Sequence, residues 1–389
     1  MTSDDFMTGN EHFQIGTEGA ETFVQRFLDI DKSCAPLFLI TGRQSFESSG
    51  AESFFAPIIA NRQVVRFSDF AVNPKIEDLC RALNAFKTSK AQLIIAVGGG
   101  SALDVAKLVN YFASTGIDPM SYTEGKRGCG EAFCPLLAVP TTAGTGSEAT
   151  HFATLYIGFD KISVADKRMK PSHIWLNPAF TSKMSAYLTA CTGFDALAQA
   201  IESYWAVGST VESKQYSEKA IKLCLRHLER AVLRPTPEHR AGMLNAAHFA
   251  GRAINISKTT AAHAMSYTLT AHYGLPHGHA VAMTLPAVFE ANANATEREL
   301  NDPRGFQHLQ TVMTELSNLL GAYTPTEAAK QLKTIIERIL LSLKWFTEHG
   351  FDPEDVRNII LQEINEERLA NNPRKLDIKK IKQIVSNIQ

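Results

Sequence analysis

The run Gln92-Leu-Ile-Ile-Ala-Val97, which passes directly into Gly98-Gly99-Gly100, constrains this chain more than any other stretch. An apolar run this short, closed by glycine, suits a strand buried on both faces. Val105, Leu108, Val109 and Phe112 then recur at helical spacing. A buried strand feeding a helix through a glycine turn is half of a βαβ unit. Pro36-Leu-Phe-Leu-Ile-Thr41, Gln63-Val-Val-Arg-Phe67 and Pro135-Leu-Leu-Ala-Val139 read as further strands, and Asn73-Pro74 opens a helix predicted to run to about Phe86. Strands alternating with helices imply a mainly parallel sheet covered on both faces.

Beyond about Met184 the strand signals stop. Ile221, Cys224, Leu225, Leu228 and Val232 form one helical stripe, and Leu332, Ile335, Ile336, Ile339 and Leu343 another. Thr324-Pro-Thr-Glu, Asp352-Pro-Glu-Asp and Asp377-Ile-Lys-Lys read as helix starts. The chain of 389 residues is long enough for two domains. We predict an α/β dinucleotide-binding domain over 1–184 and an all-helical metal- and substrate-binding domain over 185–389.

A formal net charge of −1 argues against a nucleic-acid partner. No window approaches the ~18 apolar residues of a membrane span. The acidic opening Met1-Thr-Ser-Asp-Asp5 does not resemble a signal peptide. Six cysteines lack a compact disulfide or zinc framework, which points to reduced thiols in a cytoplasmic protein.

Two glycine loops follow buried strands. In Gly98-Gly-Gly-Ser-Ala-Leu-Asp-Val-Ala-Lys107 the glycines let backbone amides approach a phosphate, and the helix start adds a partial positive charge. Gly98, Gly99, Gly100, Ser101 and Asp104 are its predicted cofactor residues, although it is not a G-x-G-x-x-G fingerprint. Pro140-Thr-Thr-Ala-Gly-Thr-Gly-Ser-Glu148 supplies hydroxyls at Thr141, Thr142, Thr145 and Ser147. Two such loops at neighbouring strand ends predict a dinucleotide cradle.

Asp195 and Gln199 stand one helical turn apart on a common face. Brought to that face, His263 and His277 complete an oxygen- and nitrogen-rich set suited to Zn²⁺ or Fe²⁺. His12, His239, His308 and His349 read as surface residues.

On these motifs the chain resembles the iron-containing (group III) alcohol dehydrogenase family, from about Leu37 to the C-terminus. Gly193-x-Asp-Ala-Leu197, Pro276-His-Gly278 and Asn372-Pro-Arg374 carry the resemblance together with the two glycine loops. It implies a Rossmann-like nucleotide domain joined to a helical domain, the fold shared with dehydroquinate synthase. It also implies a metal held by one Asp and three His in the cleft between the domains, polarising a carbonyl or alcohol oxygen during hydride transfer. Asp195, His263 and His277 fall on three ligand positions. Gln199 stands at the fourth, where the family has His, so looser binding is expected, with Zn²⁺ slightly ahead of Fe²⁺. Tyr267 replaces a relay histidine found in many relatives. It either supplies the proton as catalytic residue or packs as a structural phenol.

NAD-preferring relatives carry Thr-Asp after the first strand, where this chain has Thr41-Gly42-Arg43. Loss of the carboxylate, with Arg43 available for a 2′-phosphate, predicts NADPH over NADH. Gly42, Arg43 and Lys161 complete the expected cofactor residues. Lys258, Thr259 and Thr260, just before His263, replace glycine and apolar residues, and the segment is similar to the branch that includes phosphonoacetaldehyde reductases. A lysine with hydroxyls suits an anionic head group, and Arg252 is a further candidate. The expected reaction is reduction of phosphonoacetaldehyde to 2-hydroxyethylphosphonate. Sulfoacetaldehyde reduction to isethionate and a general dehydrogenase for neutral aldehydes are the alternatives. A metal-dependent lyase or cyclase and a non-catalytic nucleotide sensor are readings of another class. The family analogy implies a homodimer.

Overall fold

The computed structural model describes residues 12–130, 133–364, 366–386 and 388, so the acidic opening Met1 to Asp5 lies outside the described residues. The chain divides into two compact units, Met1–Thr142 with Ser147–Met184, and Ala143–Gly146 with Ser185–Gln389.

The first unit contains strands β1 (His12–Ile15), β2 (Leu37–Thr41), β3 (Val64–Phe67), β4 (Leu93–Gly98), β5 (Leu136–Pro140), β6 (Phe152–Ile157), β7 (Asp160–Ala165) and β8 (His173–Leu176). Six of them form a parallel sheet in the order β1-β8-β5-β4-β2-β3, while β6 and β7 make a separate antiparallel hairpin. Every residue of β2, β4 and β5 is buried, as the continuous apolar runs require of central parallel strands. Alternation still sorts their side chains. Phe38, Ile40, Ile94 and Ala96 pack with Leu79, Leu83, Val105 and Val109 on one face. Leu37, Leu39, Ile95 and Val97 pack with Val24, Phe27, Phe55 and Trp175 on the other.

The strand order reverses between β2 and β4, and in open parallel sheets ligands bind outside the carboxyl ends at such a point. Gly42 and the Gly98 loop end these two strands, with the Gly42 amide donating to Val97 O at 3.2 Å. Helix α1 (Gly100–Thr115) begins directly behind the glycines.

Three features depart from expectation. The helix expected from Asn73 begins at Ile76, because Asn73 takes a left-handed φ of 62° and cannot enter an α-helix. The β1 and β8 strands lie outside the strands expected: each has four residues, and β1 mixes polar with apolar residues and is partly exposed at the sheet edge. The β6–β7 hairpin was missed as well, since its turn at Gly158-Phe159 lies between strands with mixed burial.

The second unit is helical, with α2 (Ala186–Trp205), α3 (Val211–Leu233), α4 (Pro237–Ser257), α5 (Ala261–Tyr273), α6 (His277–Ala282) and further helices to Ile378–Val385. The expected α3 stripe is buried except at Leu225, which is exposed on the flank. The second stripe outruns its helix: Pro325–Arg338 stops before Leu340, whose φ of 62° breaks the helical path, and Leu343 lies beyond. Thr324, Asp352 and Asp377 each accept a backbone N–H of the first turn. No described helix is long and apolar enough to cross a membrane. The six cysteines are free thiols.

Candidate active site

Helix α2 is buried along most of its length, and Asp195, Gln199 and Glu202 line one of its faces inside the protein. His263 in the first turn of α5 and His277 at the start of α6 meet that face. His263 Nε2 lies 3.3 Å from Asp195 Oδ1, and His277 Nε2 lies 4.0 Å from the same oxygen. Each of the three residues presents one ligand atom within 4.8 Å of the others. Gly278 makes this approach feasible. A Cβ there would sit 1.8 Å from Cys191 O and 3.0 Å from the Asp195 Cβ, so any side chain would push His277 off α2.

Gln199 turns its amide nitrogen to Asp195 Oδ2 at 3.0 Å. The opposite orientation would set two acceptors against each other. Its carbonyl oxygen Oε1 is buried and has no hydrogen-bond partner. A buried amide oxygen left without a donor costs roughly 1–3 kcal/mol, which a bound cation would recover. One carboxylate, two imidazoles and an amide oxygen suit a divalent ion of the Zn²⁺ or Fe²⁺ type, so the residues present fit a metal.

Glu202, which is not among the residues expected at the site, organises it. His263 Nδ1 donates to Glu202 Oε2, which fixes the proton on Nδ1 and turns Nε2 toward Asp195. Glu202 Oε1 accepts from Thr260 Oγ1 at 2.7 Å and from the Ala262 amide at 2.9 Å, satisfying the start of α5. Its spacing of seven from Asp195 put it on the ligand face, but only the fold brings His263 to it.

Burial opposes a charged imidazole at His263, yet the Glu202 and Asp195 carboxylates overcome this and hold its pKa up at about 10. Burial likewise opposes ionisation of Asp195, but hydrogen bonding to His263 and the nearby His277 lower its pKa. Without a metal the cluster therefore keeps a proton on His263 as its counter-cation.

Tyr267, half-buried one turn past His263, stacks on the His277 ring with centroids 5.8 Å apart and planes 17° apart. The expected substrate residues divide. Thr260 is fully buried, with its hydroxyl donating to Glu202 and accepting from Trp205 Nε1 at 2.8 Å, so it supports Glu202 and has no face for substrate. Thr259 is buried, while Lys258 is exposed at the end of α4. Lys258 holds φ 62° and ψ 177°, a conformation that is essentially glycine's and costs a lysine about 1–3 kcal/mol. Asn371 maintains it by donating to Ser257 O and Thr259 O on either side. The Arg252 guanidinium is buried 4.8 Å from the centre of the Tyr216 ring.

At the sheet edge Gly42, Gly99, Gly100 and Thr142 are partly exposed, and Gly98 and Thr141 are buried; Thr145, which belongs to the second unit, is partly exposed. Thr141 N donates to Gly98 O at 2.9 Å, joining the two loops, and Thr141 Oγ1 is buried without a partner. Three side chains expected to touch cofactor are committed elsewhere. Ser101 Oγ accepts from the Asn73 amide, and Asp104 accepts from Ser147 Oγ at 2.6 Å and from Thr154 N at 2.9 Å. These contacts tie the loops together. Lys161 lies on β7 opposite Tyr156. Exposed Arg43 pairs at 2.8 Å with Asp69, which also binds Arg81 at 2.9 Å. No local signal marked Asp69. Two histidines read as surface residues, His239 and His308, are half-buried, and His308 Nε2 lacks a partner.

The fold is that of an alcohol dehydrogenase of the iron-containing type, and the Asp–His cluster could hold a divalent ion. Family models described as "Iron-containing alcohol dehydrogenase" and "Fe-containing alcohol dehydrogenase family, C-terminal" match residues 18–178 and 189–389. The chain belongs to the iron-containing alcohol dehydrogenase family. It is 33% identical over 312 residues to a phosphonoacetaldehyde reductase of Streptomyces viridochromogenes, covering 77% of this chain and 76% of that protein. It is 30% identical over 332 residues to an NAD-dependent methanol dehydrogenase of Bacillus methanolicus, covering 82% and 84%. The crystal structure of sulfoacetaldehyde reductase from Bifidobacterium kashiwanohense in complex with NAD⁺ superposes with a TM-score of 0.83 at 25% identity, covering 98% and 97%. The protein is thus an alcohol dehydrogenase or aldehyde reductase that acts on a small molecule with a nicotinamide nucleotide and a metal.

Proposed function

We propose that this enzyme reduces a small anionic aldehyde to the corresponding alcohol, with phosphonoacetaldehyde as its substrate and NADPH as its reductant. The overall reaction consumes one aldehyde, one NADPH and one proton and yields 2-hydroxyethylphosphonate and NADP⁺. Asp195, His263, His277 and the amide oxygen of Gln199 are the proposed ligands of Zn²⁺ or Fe²⁺. Such an ion supplies Lewis-acid polarisation of the carbonyl. The observation that carries this reading is the unpartnered Gln199 oxygen beside three convergent ligand atoms.

This chain's own residues do the rest. Glu202 orients His263 and holds its Nδ1 proton. Tyr267, against His277, is the proposed proton donor to the nascent alkoxide. Lys258, with Thr259, is the proposed clasp for the anionic head group, and its strained backbone supports that role because such strain is retained mainly where a site needs it. Gly98, Gly99, Gly100, Thr141, Thr142 and Thr145 are the proposed pyrophosphate cradle, with Asp104, Ser101 and Ser147 shaping it.

Arg43 supports NADPH, whereas Asp69 already occupies it, and exposed pairs are worth only about 0–1 kcal/mol. The preference for NADPH is therefore expected to stay within roughly tenfold. Sulfoacetaldehyde, of similar size and charge, is the second reading, favoured by the structural likeness to a sulfoacetaldehyde reductase. Free thiols fit a cytoplasmic setting.

The deciding experiment measures kcat/KM for phosphonoacetaldehyde, sulfoacetaldehyde and propanal with both nucleotides, on wild type and Lys258→Ala. A fall confined to the anionic aldehydes in Lys258→Ala supports the clasp. Equal use of propanal by wild type refutes it, and a clear advantage for NADH refutes the cofactor assignment.

A further inference from the structure

His227, Glu238 and His239 gather in the helical unit and share no residue with the Asp195 cluster. His227 comes from α3, while Glu238 and His239 belong to the first turn of α4. One ligand atom from each lies within 4.8 Å of the others, and the two imidazole Nδ1 atoms are 3.1 Å apart. Two Zn–N bonds of ~2.0–2.1 Å at a tetrahedral angle span roughly 3.3–3.4 Å, so the pair needs only a few tenths of an ångström to hold an ion.

The packing holds His227 in that pose. A Cβ on Gly242 would stand 2.3 Å from His227 Cδ2 and 2.7 Å from its Nε2, so the ring lies flat on α4 in space that only glycine leaves. His227 is almost fully buried and His239 is half-buried. Glu238 supplies the one carboxylate of the cluster. Two imidazoles to one carboxylate favour ions that bind nitrogen over hard ions held by charge alone.

We propose that His227, Glu238 and His239 form a second divalent-metal site, selective for zinc-like ions, that ties α3 to α4 and takes no part in the reduction. Two imidazoles and one carboxylate leave a fourth position for water.

The test uses the full chain, stripped with chelator and then equilibrated with Zn²⁺ alone, and counts bound zinc by metal analysis. His239→Ala and His227→Gln are each expected to bind one zinc fewer than wild type, with His239→Ala keeping wild-type reductase activity at saturating zinc. Asp195→Asn should retain one zinc, and Asp195→Asn combined with His239→Ala should retain none. Zinc should also raise the Tm of Asp195→Asn but not that of the double variant. A zinc count that His239→Ala leaves unchanged, or an Asp195→Asn chain that binds none, overturns the proposal. Because His239 is half-buried in the first turn of α4 rather than in the core, its variant tests the site even where His227→Gln folds poorly.

Discussion

Each unit buries ionisable groups, and the two do so in opposite ways. In the first, Lys107 is completely buried, and its ammonium donates to Ser147 O at 2.8 Å, Thr150 Oγ1 at 2.9 Å and Phe152 O at 2.6 Å, with Asp104 3.4 Å away. All three donors are used, so burial lowers its pKa without leaving a bond unmade. In the second, two carboxylates face one imidazole, and the Gln199 oxygen beside them has no donor. A saturated buried charge is scaffold, because it gains nothing from a ligand. An unsaturated cluster is held open by the surrounding fold and gains from whatever cation completes it.

Removing one member from each cluster is the strongest way to break this contrast. Asp195→Asn should lose the proposed catalytic metal and lower kcat/KM by about 10³-fold or more, since such an ion would supply several kcal/mol of charge stabilisation. Its metal-free fold should remain near wild type in urea denaturation. Lys107→Met should do the reverse, costing about 3 kcal/mol of stability for three lost buried hydrogen bonds and a stranded Asp104. The contrast fails should Asp195→Asn prove the less stable of the two.

A smaller effect follows from the proton on His263. The imidazole must release it to ligate through Nε2, so metal affinity should rise about tenfold per pH unit below a pKa of about 10. Titration at pH 6, 7 and 8 would read this directly, and a flat profile would show that His263 is already neutral. The same shift has a stability consequence of definite sign. A histidine raised from 6.5 to about 10 stabilises the metal-free fold fully below pH 6.5 and loses that contribution as pH rises toward 10. Metal-free protein should therefore lose Tm across that window, while zinc-loaded protein should not.

The mildest change is Glu202→Gln, which keeps shape and hydrogen bonding at the start of α5 but removes the charge behind His263. Metal affinity should fall by roughly 10–100-fold, with activity recovered at high metal concentration. No change in affinity would reduce Glu202 to a helix cap.

Much of this was legible in the residues. The Gln92–Val97 run and its glycines marked a buried strand of the sheet, because an apolar run this short and closed by glycines suits a strand covered on both faces. The turn spacing of Asp195 and Gln199 marked a polar face on a buried helix. What stayed hidden depends on contacts distant in sequence. Glu202 acquires its role from a histidine 61 residues away, and Thr260 is taken from substrate by Glu202 and Trp205. Asp69 lies 26 residues from the Arg43 it neutralises. β1 pairs with β8 across most of the sheet domain, β8 also pairs with β5, and at four residues each is too short to stand out in the sequence.

Asn371 makes the backbone at Lys258 depend on a residue that is synthesised much later. It holds the peptide on both sides of Lys258 and also accepts from the Gly208 amide, reaching back across 114, 112 and 163 residues. The ribosome must release the chain beyond Asn371, well past Ser257 and Thr259, before this latch closes. A message cut short of Asn371 would yield a polypeptide that already contains each proposed metal ligand, yet lacks the restraint that keeps Lys258 in its strained pose.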